Sequence, residues 1–141
     1  MSEGGKERNK PVYMLDTGTC VSVLTQTDKD ASRRLSRTSV GEVCISAVTL
    51  SELCFGLKMS RGREQDRAAL ELFLRHVTVL DYPSSAGKDY ATIREALHWR
   101  EAMIGSNELL IAAHAQSSGM TLVSTRMREL VKVPGFVGES W

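Results

Sequence analysis

The sequence predicts an α/β fold in which a small, mainly parallel sheet lies between two layers of helices. Four short apolar runs have the length of strands, at residues 11–15, 42–46, 76–80 and 120–124. These runs are continuous rather than alternating, which is typical of strands covered on both faces. Helical patterns separate them, and strands that alternate with helices indicate a parallel sheet.

Helices are expected in the segments between these strands. Two follow the first strand, two follow the second and two precede the fourth, at residues 18–26, 28–38, 47–59, 64–75, 84–101 and 107–118. The last helix is apolar almost all the way round, so it belongs inside the protein. It ends at Gly119, a residue type that commonly follows a helix C-terminus.

Length and composition indicate one globular domain. A chain of 141 residues with 42% hydrophobic and 25% charged residues can bury a core of its own. The polar residues 1–10 are predicted to be a flexible tail, and residues 11–141 a single domain. The absence of a signal peptide and of a long apolar run predicts a cytoplasmic protein without a membrane segment. The net charge of +1 neither requires nor excludes a nucleic-acid partner.

Three carboxylates are expected at one edge of the sheet. Asp16 directly follows the first strand, Glu52 lies early in the helix after the second, and Glu108 opens the helix that leads to the fourth. The carboxyl ends of parallel strands form the ligand-binding edge of such sheets. Clustered carboxylates repel one another, so a cation should neutralise them, and hard oxygen ligands suit Mg²⁺ or Mn²⁺.

Each acid taken alone also has a structural explanation. An aspartate after a strand is a common helix cap, and a glutamate in a first helical turn interacts well with the helix dipole.

Residues 15–19, LDTGT, also contain the DTG triplet of aspartic proteases, in which two aspartates share a proton. That fold needs nearly all strands, whereas this sequence predicts several helices.

Four sequence blocks, in order, resemble a known family. They are VYMLDTGTC, CISAVTLSELCFGL, IGSNELLIAAHAQSSGMTLVSTRMREL and VPGFVGESW. Together they are similar to PIN-domain proteins, and in particular to the VapC toxins of bacterial toxin–antitoxin pairs. The resemblance implies a PIN-like three-layer α/β/α fold and metal-dependent cleavage of RNA, often tRNA, with Mg²⁺ or Mn²⁺. It also implies a small cognate antitoxin and a homodimer.

The resemblance also assigns roles to residues. It implies that Asp16, Glu52 and Glu108 are the catalytic and metal-binding acids. Ser124, Arg126 and Arg94 are the candidate accessory or RNA-contacting residues.

The sequence departs from the family pattern at the same site. Gly18 and Thr125 replace asparagines, Glu108 replaces an aspartate, and Arg126 stands where an asparagine or aspartate is usual. An arginine there would compete with a metal for the same acids. A catalytically decayed PIN-like protein, which binds antitoxin or RNA without turnover, is therefore the alternative.

Overall fold

The computed structural model describes residues 10–141, so nearly all of the predicted flexible tail, residues 1–10, lies outside the described residues. Within residues 10–141 there are five strands and seven helices. Strands β1 to β5 are Tyr13–Leu15, Val43–Ser46, Thr78–Leu80, Thr121–Val123 and Gly138–Glu139. Helices α1 to α7 are Thr17–Leu24, Lys29–Ser36, Ala47–Met59, Glu64–Leu74, Ala86–Trp99, Ser106–Ser117 and Met127–Leu130.

All the strand pairs of the described sheet are parallel, in the order β3-β2-β1-β4-β5. The central strand β1 has neighbours on both sides, because Tyr13 pairs with Val43 of β2 and with Thr121 of β4. The four predicted strands and six predicted helices are confirmed, each with bounds within about two residues. These helices exclude the nearly all-strand fold of an aspartic protease.

Strand order changes direction at β1. The chain adds β2 and β3 on one side of β1 and then returns to add β4 and β5 on the other side. The carboxyl ends of β1 and β4 therefore border the switch point, where open α/β sheets bind their ligands. Asp16 follows β1 at this point, and Ser124 follows β4.

Alternate side chains of β1, β2 and β4 enter two cores. Met14, Cys44 and Leu122 face a core that includes Ile93 of α5 and Ile111 of α6. Their neighbours in sequence face the opposite core, with residues from α1, α3 and α4: Leu15, Val43, Ile45, Val123, Cys20, Leu53 and Phe73. Because successive side chains of a strand point to opposite faces, one short sheet holds both helical layers.

The edges of the sheet differ from the prediction. Edge strand β3 leaves Val79 38% exposed, although its run was expected to be covered on both faces. Helix α7 and strand β5 were not predicted, because four and two residues are too short to show a period. Among residues 10–141, no helix is both long and apolar enough to cross a membrane.

Candidate active site

Asp16 is a buried carboxylate fixed by two backbone donors. It is the N-cap of α1, and its Oδ1 accepts a hydrogen bond from the Thr19 backbone N–H at 2.8 Å. Its Oδ2 accepts from the backbone N–H of Thr125, after β4, at 3.0 Å. Only 4% of Asp16 is exposed. One side chain thus joins the first residues of α1 to the end of β4.

Glu52 is held by residues from two other elements. Its Oε1 accepts from the hydroxyl of Thr17, in the first turn of α1, and its Oε2 accepts from Asn107 Nδ2 at 3.1 Å. Thr17 also contacts the hydroxyl of buried Thr49, one turn before Glu52 in α3, at 3.3 Å. Ser46 is the N-cap of α3, and its side chain accepts from the Val48 N–H. These bonds aim Glu52 toward the N-terminus of α6.

Glu108 uses both carboxylate oxygens within the protein. Its Oε1 accepts from the Gly105 N–H at 2.7 Å, which caps the first turn of α6. Its Oε2 accepts from Nε of Arg126 at 2.8 Å. The hydrogen bond and the charge of Glu108 raise the pKa of the Arg126 guanidinium above its ordinary value. Glu108 and Arg126 therefore form an ion pair at the site.

An open cleft of about 410 Å³ lies at this edge of the sheet. Its lining combines the start of α1, one acid of α3 and the first turn of α6: Thr17, Gly18, Glu52, Gly105, Ser106, Asn107 and Glu108. Two of the three predicted acids thus face the same cleft. The third, Asp16, is buried immediately before Thr17 and does not line it.

The carboxylate oxygens of the three acids are the type of ligand that a divalent cation prefers, but the acids do not form a shared site. Carboxylate oxygens are the ligands that Mg²⁺ prefers. However, within the part of the chain that the structure describes, no three His, Cys, Asp or Glu side chains are grouped closely enough to hold a metal ion. Each acid is engaged by protein donors instead, and Glu108 is engaged by a cation, Arg126.

The accessory candidates divide into two groups. Ser124 is 3% exposed, and its hydroxyl oxygen accepts from the backbone N–H of Arg126 at 2.8 Å, so it shapes the loop after β4. Arg94, an exposed residue of α5, instead donates to the hydroxyl of Tyr90 on its own helix and does not line the cleft. Arg126 thus contacts the acid Glu108 and Ser124 contacts Arg126, whereas Arg94 has no hydrogen bond to the three acids among the described residues.

The residues that orient the acids were not among the predicted site residues. Thr17 and Asn107 both donate to Glu52, and the backbone of Thr125 donates to Asp16. Each is adjacent in sequence to a candidate residue: Asp16, Glu108 or Arg126. Their polar side chains, next to the predicted site residues in the sequence, were the only sign that they could orient the acids.

A second, mostly apolar cavity of about 310 Å³ adjoins the cleft. It lies between α1, α3 and α4, and its apolar lining includes Val21, Leu24, Leu53, Leu57, Ala69 and Leu70. Glu52 lines both the cavity and the cleft. Phe55 and Met59, also on α3, are 65% and 67% exposed. A surface that combines apolar side chains with an adjacent acidic cleft is suited to binding a peptide.

Comparison with known proteins identifies the family. The sequence model of the PIN domain matches residues 13–135, which include every residue of the cleft. The chain belongs to the PIN-domain family. The arrangement of a parallel sheet between helices is the PIN-like fold that the sequence predicts.

PIN-domain relatives of this chain are named as nucleases. Ribonuclease VapC2 of Haemophilus influenzae is 34% identical over 129 residues, which cover 92% of this chain and 97% of that protein. The tRNA(fMet)-specific endonuclease VapC of Shigella flexneri is 36% identical over 130 residues, which cover 92% and 97% of the two chains. A solved structure of DNA-bound VapBC from Salmonella typhimurium is similar to this PIN domain with a TM-score of 0.81. Its identity is 32%, over 93% of this chain and 98% of that chain.

Proposed function

We propose that this protein is a metal-dependent endoribonuclease, the toxin of a type II toxin–antitoxin pair, that cleaves RNA by hydrolysis at the acidic cleft. We propose further that residues 11–141 act as a single PIN domain, in the cytoplasm and as a homodimer. The observation that carries the proposal is the position of Glu52 and Glu108 in one cleft beside buried Asp16, at the strand ends of a PIN fold.

Asp16, Glu52 and Glu108 are the residues that would hold Mg²⁺ or Mn²⁺. A bound cation of this kind would lower the pKa of a water ligand and would stabilise negative charge on phosphate oxygens. PIN-domain ribonucleases depend in general on divalent metals, and carboxylates are the donors that such ions require. While Arg126 is bonded to Oε2 of Glu108, its positive charge opposes a cation at that acid.

The chain's own residues position the acids and the substrate. Thr17 and Asn107 keep the carboxylate of Glu52 in one orientation, and two backbone donors do the same for Asp16. The first turn of α6 lines the cleft, and the partial positive charge of a helix N-terminus favours a phosphate group there. A phosphodiester can therefore lie at this turn, beside the carboxylates of the cleft.

The relatives support turnover over binding alone. Both nuclease relatives match along nearly the whole chain. A decayed PIN-like protein is the weaker alternative, because the acids at positions 16, 52 and 108 are all present. RNA is the proposed substrate class, and tRNA is the first candidate, since the Shigella flexneri relative is named as a tRNA endonuclease.

A cognate antitoxin is the proposed protein partner. Its binding segment would lie along the apolar cavity between α1, α3 and α4 and reach the cleft at Glu52, which lines both. The similarity to the VapBC assembly supports this partner. A basic side chain on that segment would complement the carboxylates of the cleft.

An RNA-cleavage assay tests the proposed function. Purified protein is incubated with mixed tRNA and Mg²⁺ or Mn²⁺, with and without a chelator, beside Glu52→Gln and the control Glu64→Gln. Glu64 is exposed on α4, away from the cleft. We expect discrete fragments from the wild type and the control, which the chelator and Glu52→Gln abolish. RNA that is bound but left intact by every form, with either metal, would support the decayed protein instead.

A further inference from the structure

Arg126 lies at the edge of the acidic cleft with part of its guanidinium unused. Its Nε donates to Glu108, and no acceptor for either of its terminal nitrogens is found among residues 10–141. The side chain is 51% exposed. An arginine presents five N–H donors in a planar fork that matches phosphate as well as carboxylate. Arg126 can therefore reach a phosphate in solution without unfolding any element.

The contact of Arg126 with Glu108 opposes a cation at that acid. Both oxygens of Glu108 already accept hydrogen bonds, one from the Gly105 N–H and one from Arg126. A divalent ion at Oε2 would lie next to the positive guanidinium, and like charges repel. The ion pair with Arg126 therefore weakens the affinity of Glu108 for a divalent cation.

We propose that Arg126 is a phosphate-binding residue that pairs with Glu108 in the free protein and transfers to a phosphate of the RNA. The inference rests on the proposed function. Transfer releases Glu108, so phosphate and divalent cation assist each other's binding at the cleft. Such coupling is reciprocal, because each ligand raises the affinity for the other by the same factor.

The test measures binding rather than turnover. Mn²⁺ affinity of the full chain is measured by electron paramagnetic resonance, with and without a hydrolysis-resistant 2′-O-methyl phosphorothioate oligonucleotide. The proteins are the wild type, Arg126→Gln, Arg126→Lys and the control Arg128→Gln. Arg128 is also exposed and lies two residues further on, in α7.

Four results are expected if the proposal is correct. Arg126→Gln binds Mn²⁺ at least about tenfold more tightly than the wild type when no oligonucleotide is present. The oligonucleotide raises the Mn²⁺ affinity of the wild type severalfold but leaves that of Arg126→Gln unchanged. Arg126→Lys keeps the weak Mn²⁺ affinity, because it keeps the charge. Arg128→Gln behaves as the wild type.

The proposal would be overturned if the wild type and Arg126→Gln bound Mn²⁺ with equal affinity both in the absence and in the presence of the oligonucleotide. If the wild type still cleaves RNA with Mn²⁺ in that case, the proposed function stands and only the role of Arg126 is wrong. If the Mn²⁺ affinities differ as expected but no RNA is cleaved, the coupling between phosphate and Mn²⁺ stands and the proposed function is wrong.

Discussion

Thr125 occupies the space that a side chain at Gly18 would need. A β-carbon at position 18 would lie 3.1 Å from the Cγ2 and 3.3 Å from the Cβ of Thr125, with the hydroxyl closer still. Rotation of the threonine leaves its Cβ in place, so the crowding persists in every rotamer. These are two of the positions at which the sequence departs from the family pattern, and the structure shows that they are in contact.

Gly18→Ala should therefore destabilise the protein, by about 1–2 kcal/mol in the free energy of unfolding. The matched control is Gly87→Ala, which is also the second residue of its helix and has no atom within 4 Å of the added carbon. It should be neutral or stabilising by up to about 1 kcal/mol. Urea denaturation measures both.

The double variant Gly18→Ala, Thr125→Ala should recover most of the loss. A double-mutant cycle would then give a coupling energy of about 1 kcal/mol or more, as expected for residues in contact. Additive effects of the two substitutions would contradict the steric explanation.

Asp16→Asn should destabilise the protein more than Asp28→Asn does. Each aspartate is a helix N-cap, but Asp16 uses both oxygens to accept N–H groups, whereas Asp28 uses Oδ1 alone. An asparagine at position 16 must turn its own N–H₂ toward one donor, which costs about 1–3 kcal/mol. Asp28→Asn should change stability by less than about 0.5 kcal/mol. Similar losses in chemical denaturation for both variants would refute this account.

His114 should make folding stability fall in acid. It is 1% exposed, its Nδ1 is hydrogen-bonded to Ser46 at 2.9 Å, and burial lowers its pKa. Below about pH 6.5, the ordinary pKa of histidine, the unfolded chain binds a proton that the folded protein resists. The stabilisation that comes from keeping His114 neutral is therefore fully present above that pH. It is lost as the pH falls toward the lowered pKa of the folded protein, by at most about 1.4 kcal/mol of unfolding free energy per pH unit.

Unfolding curves from pH 7.5 to 5 measure this dependence. His114→Gln should flatten the profile in this range. An unaltered slope in His114→Gln would show that other groups cause the acid sensitivity.

Trp141 should stabilise the protein through its contacts with Arg34 of α2, Glu139 and Tyr13. The guanidinium lies 5.0 Å from the Trp141 ring centre, and the indole N–H donates to Glu139 of β5 at 2.9 Å. Trp141 also packs edge-on against Tyr13 of the central strand, with ring centres 5.4 Å apart. Trp141→Ala should lower the free energy of unfolding by about 2 kcal/mol. Trp99→Ala should cost less than about 0.5 kcal/mol, because Trp99 is 72% exposed. Equal effects in thermal unfolding would contradict a stabilising role for the contacts of Trp141.

The sequence predicts the position of the acids better than their partners. Strand ends and helix starts are local features, so the placement of Asp16, Glu52 and Glu108 near one edge of the sheet followed from periodicity and parallel pairing. The direction of a side chain depends on contacts between distant segments, such as Arg126 with Glu108 or Asn107 with Glu52. No local pattern contains that information, although the arginine at position 126 indicated competition for the acids. The two-residue strand β5 is defined by its pairing with β4 rather than by its own sequence.

The rate of RNA cleavage in Asp16→Asn and Asp28→Asn is the most direct test of the proposed active site. Both changes replace a capping aspartate with an asparagine, but only Asp16 lies beside the acidic cleft. In single-turnover experiments with Mn²⁺, under conditions where both variants are folded, we expect Asp16→Asn to cleave at least about 100-fold more slowly than the wild type. Asp28→Asn should cleave at the wild-type rate. Equal rates in the two variants would contradict a role for Asp16 and, with it, the acidic cleft as the site of hydrolysis.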